Sequence, residues 1–195
     1  WIGEGFAEAL EAHLQSAGNE VVGLEELHGA LTAKGFSPGE PVTRATVIVM
    51  GRELGAARSL VGSYQVADGR VEVNLKVIDL DRGAIVGVIE DHDDLDGLLD
   101  LENRLAMNLF RLESDIVPAV FERTSARRLK LPLEAHEKLA RARVASNPNR
   151  RKELLNEALE IKEDYLEARL LVGRTLLNMG QPIEAIKALS VLPPG

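Results

Sequence analysis

The chain has 195 residues, 45% of them apolar and 28% charged, the balance of a folded globular protein rather than a disordered one. Its 23 basic and 31 acidic side chains leave a net charge of −8, which disfavours nonspecific binding to phosphate backbones. Cysteine is absent, which excludes disulfides, zinc–thiolate sites and thiol nucleophiles, and no apolar run approaches the ~20 residues of a membrane-spanning helix.

Phe6, Leu10 and Leu14 recur every fourth residue and predict an amphipathic helix ended by Gly18. Val21-Val22 reads as a short buried strand. Leu24, Leu27 and Leu31 predict a second helix closed by Gly35, and Pro38 and Pro41 mark a loop. Thr43 is placed to cap a third helix carrying Val47, Met50 and Leu54. The period then changes. Leu60 to Val66 forms a first strand, and Val71, Val73, Leu75 and Val77 alternate with Glu72, Asn74 and Lys76, the mark of a strand with one wet face. Asp68-Gly69 supplies a hairpin turn between them, and Asp81-Arg82-Gly83 turns into a third strand from Ala84 to Ile89. From about Asp96 a long helix follows, with Leu98, Leu101, Leu105, Leu109 and Leu112 on one face.

The remainder of the chain reads as paired helices. Leu139, Ala142 and Val144 lie on one that breaks at Asn147-Pro148, and Leu154, Leu155, Ala158, Leu159 and Ile161 lie on the next. A third spans Leu166 to Met179, and Gly180-Gln181-Pro182 turns into a fourth with Ile183, Ala185, Ile186 and Leu189. Such helices joined by short turns form helical hairpins. Charge divides at the same place: residues 1–128 hold 12 basic and 22 acidic side chains, residues 129–195 hold 11 and 9. The fold class expected is therefore mixed: an α/β domain over 1–128 with an antiparallel three-stranded meander in a mixed sheet, then an all-α hairpin array over 129–195. The start at Trp1 rather than Met, and the stop at Pro193-Pro194-Gly195 directly after a helical pattern, read as cut ends of something longer.

The segment Asn156 to Gly173 resembles the junction between two tetratricopeptide repeats. If the last 34-residue repeat starts at Leu166, then Gly173, Gly180 and Ala185 fall at its positions 8, 15 and 20. There Gly173 and Ala185 let neighbouring helices approach and Gly180 makes the turn. One repeat earlier, Ala158 fits position 27, whereas Leu139, Arg151 and Glu163 depart from the expected Gly, Ala and Pro, so about two repeats are present and the first is degenerate. Gly5-Phe-Ala-Glu-Ala-Leu, Gly51-Arg-Glu-Leu-Gly, Leu60-Val-Gly-Ser-Tyr-Gln-Val, Val71 to Asp79 and Leu98 to Ala106 occur in the order seen in TolB-amino-terminal-like α/β domains, a likeness covering most of residues 1–112. Such domains often precede tetratricopeptide repeats in bacterial envelope or signalling proteins. The resemblance thus implies a binding and assembly role without chemistry, and a periplasmic or envelope-associated setting. Domains of this kind usually open with a buried strand that nothing before Trp1 supplies, which predicts an exposed sheet edge beside Val21-Val22 and a homodimer through it.

Signals for chemistry fail one by one. Glu90-Asp-His-Asp-Asp-Leu-Asp-Gly, aligned on Gly97 as a calcium-loop glycine, puts His92 and Asn103 where carboxylates are required, and reads instead as a solvated turn whose Asp96 caps the next helix. His136-Glu137 begins a zinc signature, but position 140 is Ala; His13, His28 and His92 have no partners at metal spacing. Gly51-Arg-Glu-Leu-Gly55 lacks the Gly-Lys-Ser/Thr ending of a phosphate loop, and Gly62-Ser63 sits within a strand, unsuited to a nucleophile elbow. Basic clusters at Arg123, Arg127, Arg128 and Lys130, on a linker, and at Arg150-Arg151-Lys152 have no interleaved aromatics, so they read as solvated surface and not as a nucleic-acid interface. No catalytic, cofactor-binding or metal-binding residue is assigned.

Tetratricopeptide repeats typically line a concave face with the first helix of each pair. In the last repeat that face would carry Glu167, Leu170, Arg174, Leu177 and Asn178. Leu170 and Arg174 stand where a carboxylate-clamp repeat has Lys and Asn, so the face suits a peptide or helix of another protein rather than a chain-terminal carboxylate. The expectation is a non-enzymatic interaction or scaffolding module of a larger protein. The alternatives are a small-molecule-sensing domain of a membrane-anchored regulator or kinase, favoured by a pocket between meander and helices, and an enzyme, favoured by a polar cleft with a strongly perturbed carboxylate or histidine.

Overall fold

A computed structural model describes residues 1–37, 42–113 and 120–190. The expected loop at Pro38 and Pro41 and the Pro193-Pro194-Gly195 end lie outside the described residues. The chain groups into two compact units, one of Phe6–Leu129 and one of Lys130–Gly195 with Trp1–Gly5.

The first unit takes helix α1 (Ile2–Ser16) from Phe6 onward; that helix ends in a left-handed Gly18 (φ 83°), and helix α2 (Leu24–Ala33) ends before Gly35 (φ 85°). Helix α3 (Arg44–Glu53) is capped by the Thr43 hydroxyl, which accepts the Thr46 N–H at 3.2 Å. Val21-Val22 is not a strand: the two residues are half-buried and lie outside the sheet. An apolar pair in the short connection between two helices reaches partial burial without a ladder. Strands β1 (Arg58–Ala67), β2 (Arg70–Asp79) and β3 (Ala84–Asp94) form an antiparallel sheet in the order β1-β2-β3. The sheet is thus purely antiparallel among the described residues, which corrects the expected mixed sheet.

Asp68 and Gly69 both adopt positive φ (51° and 78°), the two-residue hairpin turn whose twist matches the strands it joins. Ten residue pairs from Arg58↔Asp79 to Ala67↔Arg70 follow without a slip. The β2–β3 register shifts once between Val77 and Ile78, leaving Val86 as the extra residue. On β2, Val71, Val73, Leu75 and Val77 are buried, as the alternation predicts. They face helix α4 (Leu98–Glu113), whose Leu98, Leu101, Leu105 and Leu109 are buried, while Leu112 is exposed above Gly87. A 3-10 turn, Leu95–Gly97, precedes α4, so Asp96 lies inside that turn rather than capping the helix as expected. Helix α5 (Val120–Arg128) replaces the linker expected around Arg123.

The second unit holds α6 (Leu133–Val144), α7 (Pro148–Ile161), α8 (Leu166–Asn178) and α9 (Pro182–Leu189), each packed against the next. Asn147 caps α7 through its side-chain oxygen, which accepts the Asn149 and Arg150 N–H groups at 2.9 and 3.2 Å, and Pro148 opens the helix. The core is Ala135, Leu139, Ala142, Leu154, Leu155, Ala158, Tyr165, Ala168, Leu171, Val172, Leu176 and Ala185. A Cβ on Gly173 would lie 2.7 Å from Leu189 Cγ, so glycine there permits the close approach of α8 and α9. Gly180 (φ 72°) makes the turn between them. Arg151, standing where the repeat pattern wants a small residue, donates to the carbonyls of Ala142 and Ala145 at 3.2 and 2.8 Å and so closes the end of α6.

Candidate functional site

Helix α8 separates its residues by face. Ala168, Leu171, Val172, Thr175 and Leu176 are buried against the second unit's core. Glu167, Leu170, Arg174, Leu177 and Asn178 recur at helical spacing on the opposite side, where Glu167 is half-buried and the other four are exposed. Leu170 and Leu177, 49% and 52% exposed, form an apolar stripe with Arg174 between them. Leu166, also exposed, extends it by one turn. The five residues expected to face a partner therefore share one solvent-facing side. One repeat earlier, the corresponding His136 and Ala140 of α6 are fully buried, so the open stripe belongs to α8 rather than running across both hairpins. The Tyr165 hydroxyl lies 3.5 Å from His136 Nδ1, inside the unit.

A buried polar cluster in the first unit is the second place where chemistry could reside. Arg128 at the end of α5 donates from Nη2 to Glu102 Oε2 on α4 at 2.8 Å, and its Nη1 lies 3.8 Å from Glu8 Oε1 on α1. All three side chains are at most 4% exposed. Beside them His13 Nε2 is 2.9 Å from Asn103 Oδ1, and the imidazole stacks on Phe121 at 4.7 Å, which meets Phe110 edge-on at 5.8 Å. Burial holds the His13 pKa below 6.5, partly offset by the Asn103 hydrogen bond; the positive charge of Arg128 lowers it further and Glu102 raises it. The cluster's charged side chains are withdrawn from solvent. Its geometry ties α1, α4 and α5 together. Charge clustering reads Arg128 as solvated surface; the structure buries it.

The acidic run is likewise structural. Its Glu90–Asp94 part lies on β3 and only Leu95–Gly97 in the 3-10 turn, and Arg104 of α4 clamps it: Nε donates to Asp91 Oδ2 at 3.0 Å, Nη1 to Asp93 Oδ2 at 2.9 Å and Nη2 to the His92 carbonyl at 3.1 Å. The Arg104 hydrogen bond, with the Asp94 N–H, holds the Asp93 pKa below its usual value. Among the described residues no three His, Asp or Glu side chains are grouped to hold a metal. Arg150 pairs with Glu153 at 3.0 Å, and Arg151 is consumed by the α6 carbonyls, which dissolves the second basic cluster.

A solvent-open groove is lined by Lys34, Phe36, Ala45, Thr46, Val49 and Met50. It lies between α2 and α3 rather than under the meander, and its lining is mostly apolar, with few polar groups to orient a small ligand. Among the described residues no helix is long and apolar enough to cross a membrane. Compared with protein-family models, with curated proteins and with solved structures, the chain matches none.

Proposed function

We propose that the chain is a non-enzymatic protein-interaction module whose helical array engages a peptide or helix of another protein through the outer face of α8. The observation that carries this reading is the apolar stripe of Leu170 and Leu177 around Arg174, held on a helix whose opposite side is fully packed. Apolar side chains exposed in line on a rigid element are suited to an amphipathic partner, and Arg174 with Glu167 would set its register and charge pattern. The tetratricopeptide and TolB-type resemblances support the same role, within a larger bacterial envelope or signalling protein. The buried position of the first unit's polar cluster supports a structural part for it.

The test selects binding peptides from a displayed library on the intact chain, then repeats the measurement with Leu170→Asp and Leu177→Asp. Both side chains are about half exposed, so the fold is kept while each substitution weakens binding by about tenfold or more. Selected peptides that bind both variants as well as the parent chain would place recognition elsewhere and refute the proposal.

A further inference from the structure

The two outer edges of the sheet are built differently. The β3 edge is guarded: Glu90, Asp91, Asp93 and Asp94 crowd it, a bulge interrupts its register, and Arg104 already takes the His92 carbonyl. The β1 edge has none of these devices. From Ser59 to Ala67 it contains no charged residue and no proline, its register with β2 is unbroken, and among the described residues no element pairs with its outer side. Natural sheets seldom leave such an edge open.

Hydrogen-bond parity decides which groups this edge offers. At one end of the β1–β2 ladder the Leu80 N–H donates to the Ala57 carbonyl at 3.0 Å. At the other, the two-residue turn closes on the pair Ala67/Arg70. Both ends assign the odd-numbered residues of β1 to bonds with β2. The N–H and C=O groups of Leu60, Gly62, Tyr64 and Val66 therefore point outward. Their side chains lie on the helix-covered face, yet Tyr64 and Val66 are 45% and 44% exposed, so the apolar surface there stops short of the edge.

We propose that β1 pairs antiparallel with β1 of a second copy of the chain, about a twofold axis at Ser63, joining the two sheets into one of six strands. This register sets Gly62 opposite Tyr64 and Leu60 opposite Val66. All four are outward-facing residues, so each pair exchanges both of its backbone hydrogen bonds. The Tyr64 ring covers the space that Gly62 leaves empty on the facing strand, and the apolar face continues across the junction. Charge selects the occupant. Two chains of net charge −8 meet along a strand without a charge, whereas joining two β3 edges would set carboxylate against carboxylate. This interface lies in the first unit and is independent of the α8 face.

Sedimentation equilibrium combined with residue-resolved amide exchange tests the pairing. The expected result is a concentration-dependent dimer in which the amides of Leu60, Gly62, Tyr64 and Val66 exchange slowly and lose protection on dilution. Tyr64→Lys removes the ring that covers Gly62 and sets two like charges diagonally across the axis, and Val66→Lys sets a charge against the apolar Leu60 of the facing strand; each is expected to raise the dimer Kd by about tenfold or more. The odd-numbered amides of β1, bonded to β2, stay protected in both variants and report that the strand is still folded. Val88→Lys, at an exposed site on β3, is expected to leave the dimer unchanged. Three results would overturn the proposal: a monomer at every concentration, a dimer that both lysine variants leave intact, or a monomer whose even-numbered β1 amides are already protected by its own chain.

Discussion

Arg128→Met probes how the first unit is tied together. The substitution keeps most of the aliphatic stem and removes a guanidinium that is 4% exposed, leaving Glu102, 0% exposed, without its 2.8 Å partner. At an effective dielectric near 20, charges at the Glu102 and Glu8 separations attract Arg128 by about 4–6 kcal/mol each. Desolvation of the guanidinium offsets a large part of that in the intact protein. Deleting the cation of a buried ionic group removes the attraction that offsets the carboxylates' own burial, a loss of about 3–5 kcal/mol. Against a typical domain stability of about 5–15 kcal/mol this is large. Amide exchange at Val71, Val73, Leu75 and Val77, the buried residues of β2, reads the effect within the same unit. A loss of 3 kcal/mol raises their exchange rates by more than about a hundredfold. The double variant Arg128→Met with Glu102→Gln is expected to be less impaired than Arg128→Met alone, because it buries one carboxylate charge fewer. Exchange in Arg128→Met within about threefold of the parent chain would refute the reasoning and return Arg128 to the solvated surface.

His13, with a folded pKa below 6.5, binds its proton more readily in the unfolded chain; its stability contribution is therefore complete above pH 6.5 and is lost as pH falls from there toward the folded value. Urea midpoints measured down this range are expected to fall, and to fall less in His13→Phe. The Asp93 carboxylate acts in a lower window, its contribution holding above 3.8 and disappearing as pH drops through its folded value, so Arg104→Gln flattens only the more acidic part of the same profile. Gly51→Ala is expected to destabilise by about 1–3 kcal/mol despite better helix propensity, because its Cβ would lie 2.5 Å from Cδ1 of the fully buried Leu80. Gly87→Ala, whose Cβ meets Leu112, is expected to cost under ~1 kcal/mol, since Leu112 is 44% exposed and can swing outward; thermal melts of the two variants decide it. Gly173→Val should loosen the α8–α9 hairpin, and Leu189→Ala in the same chain should recover part of the loss, read as urea midpoints.

Sequence alone determined what depends on a residue and its near neighbours. The period-2 run of β2, the Thr43 and Asn147 caps, the left-handed glycines at 18, 35 and 180, and the Asp68-Gly69 turn each arise within a few residues of chain, and each is found where its local chemistry puts it. The exposed face of α8 was legible for the same reason: helical spacing alone sorts Leu170, Arg174 and Leu177 to one side. Only the tertiary structure decided which charges are buried and which are paired. Arg128 meets Glu102 across 26 residues, Arg104 meets Asp91 across 13, and His13 meets Asn103 across 90. A guanidinium or imidazole in the sequence looks the same whether water or a distant carboxylate surrounds it. The same limit made Val21-Val22 read as a strand and left the β1 edge unseen, because pairing is a property of two segments and apolar pattern a property of one.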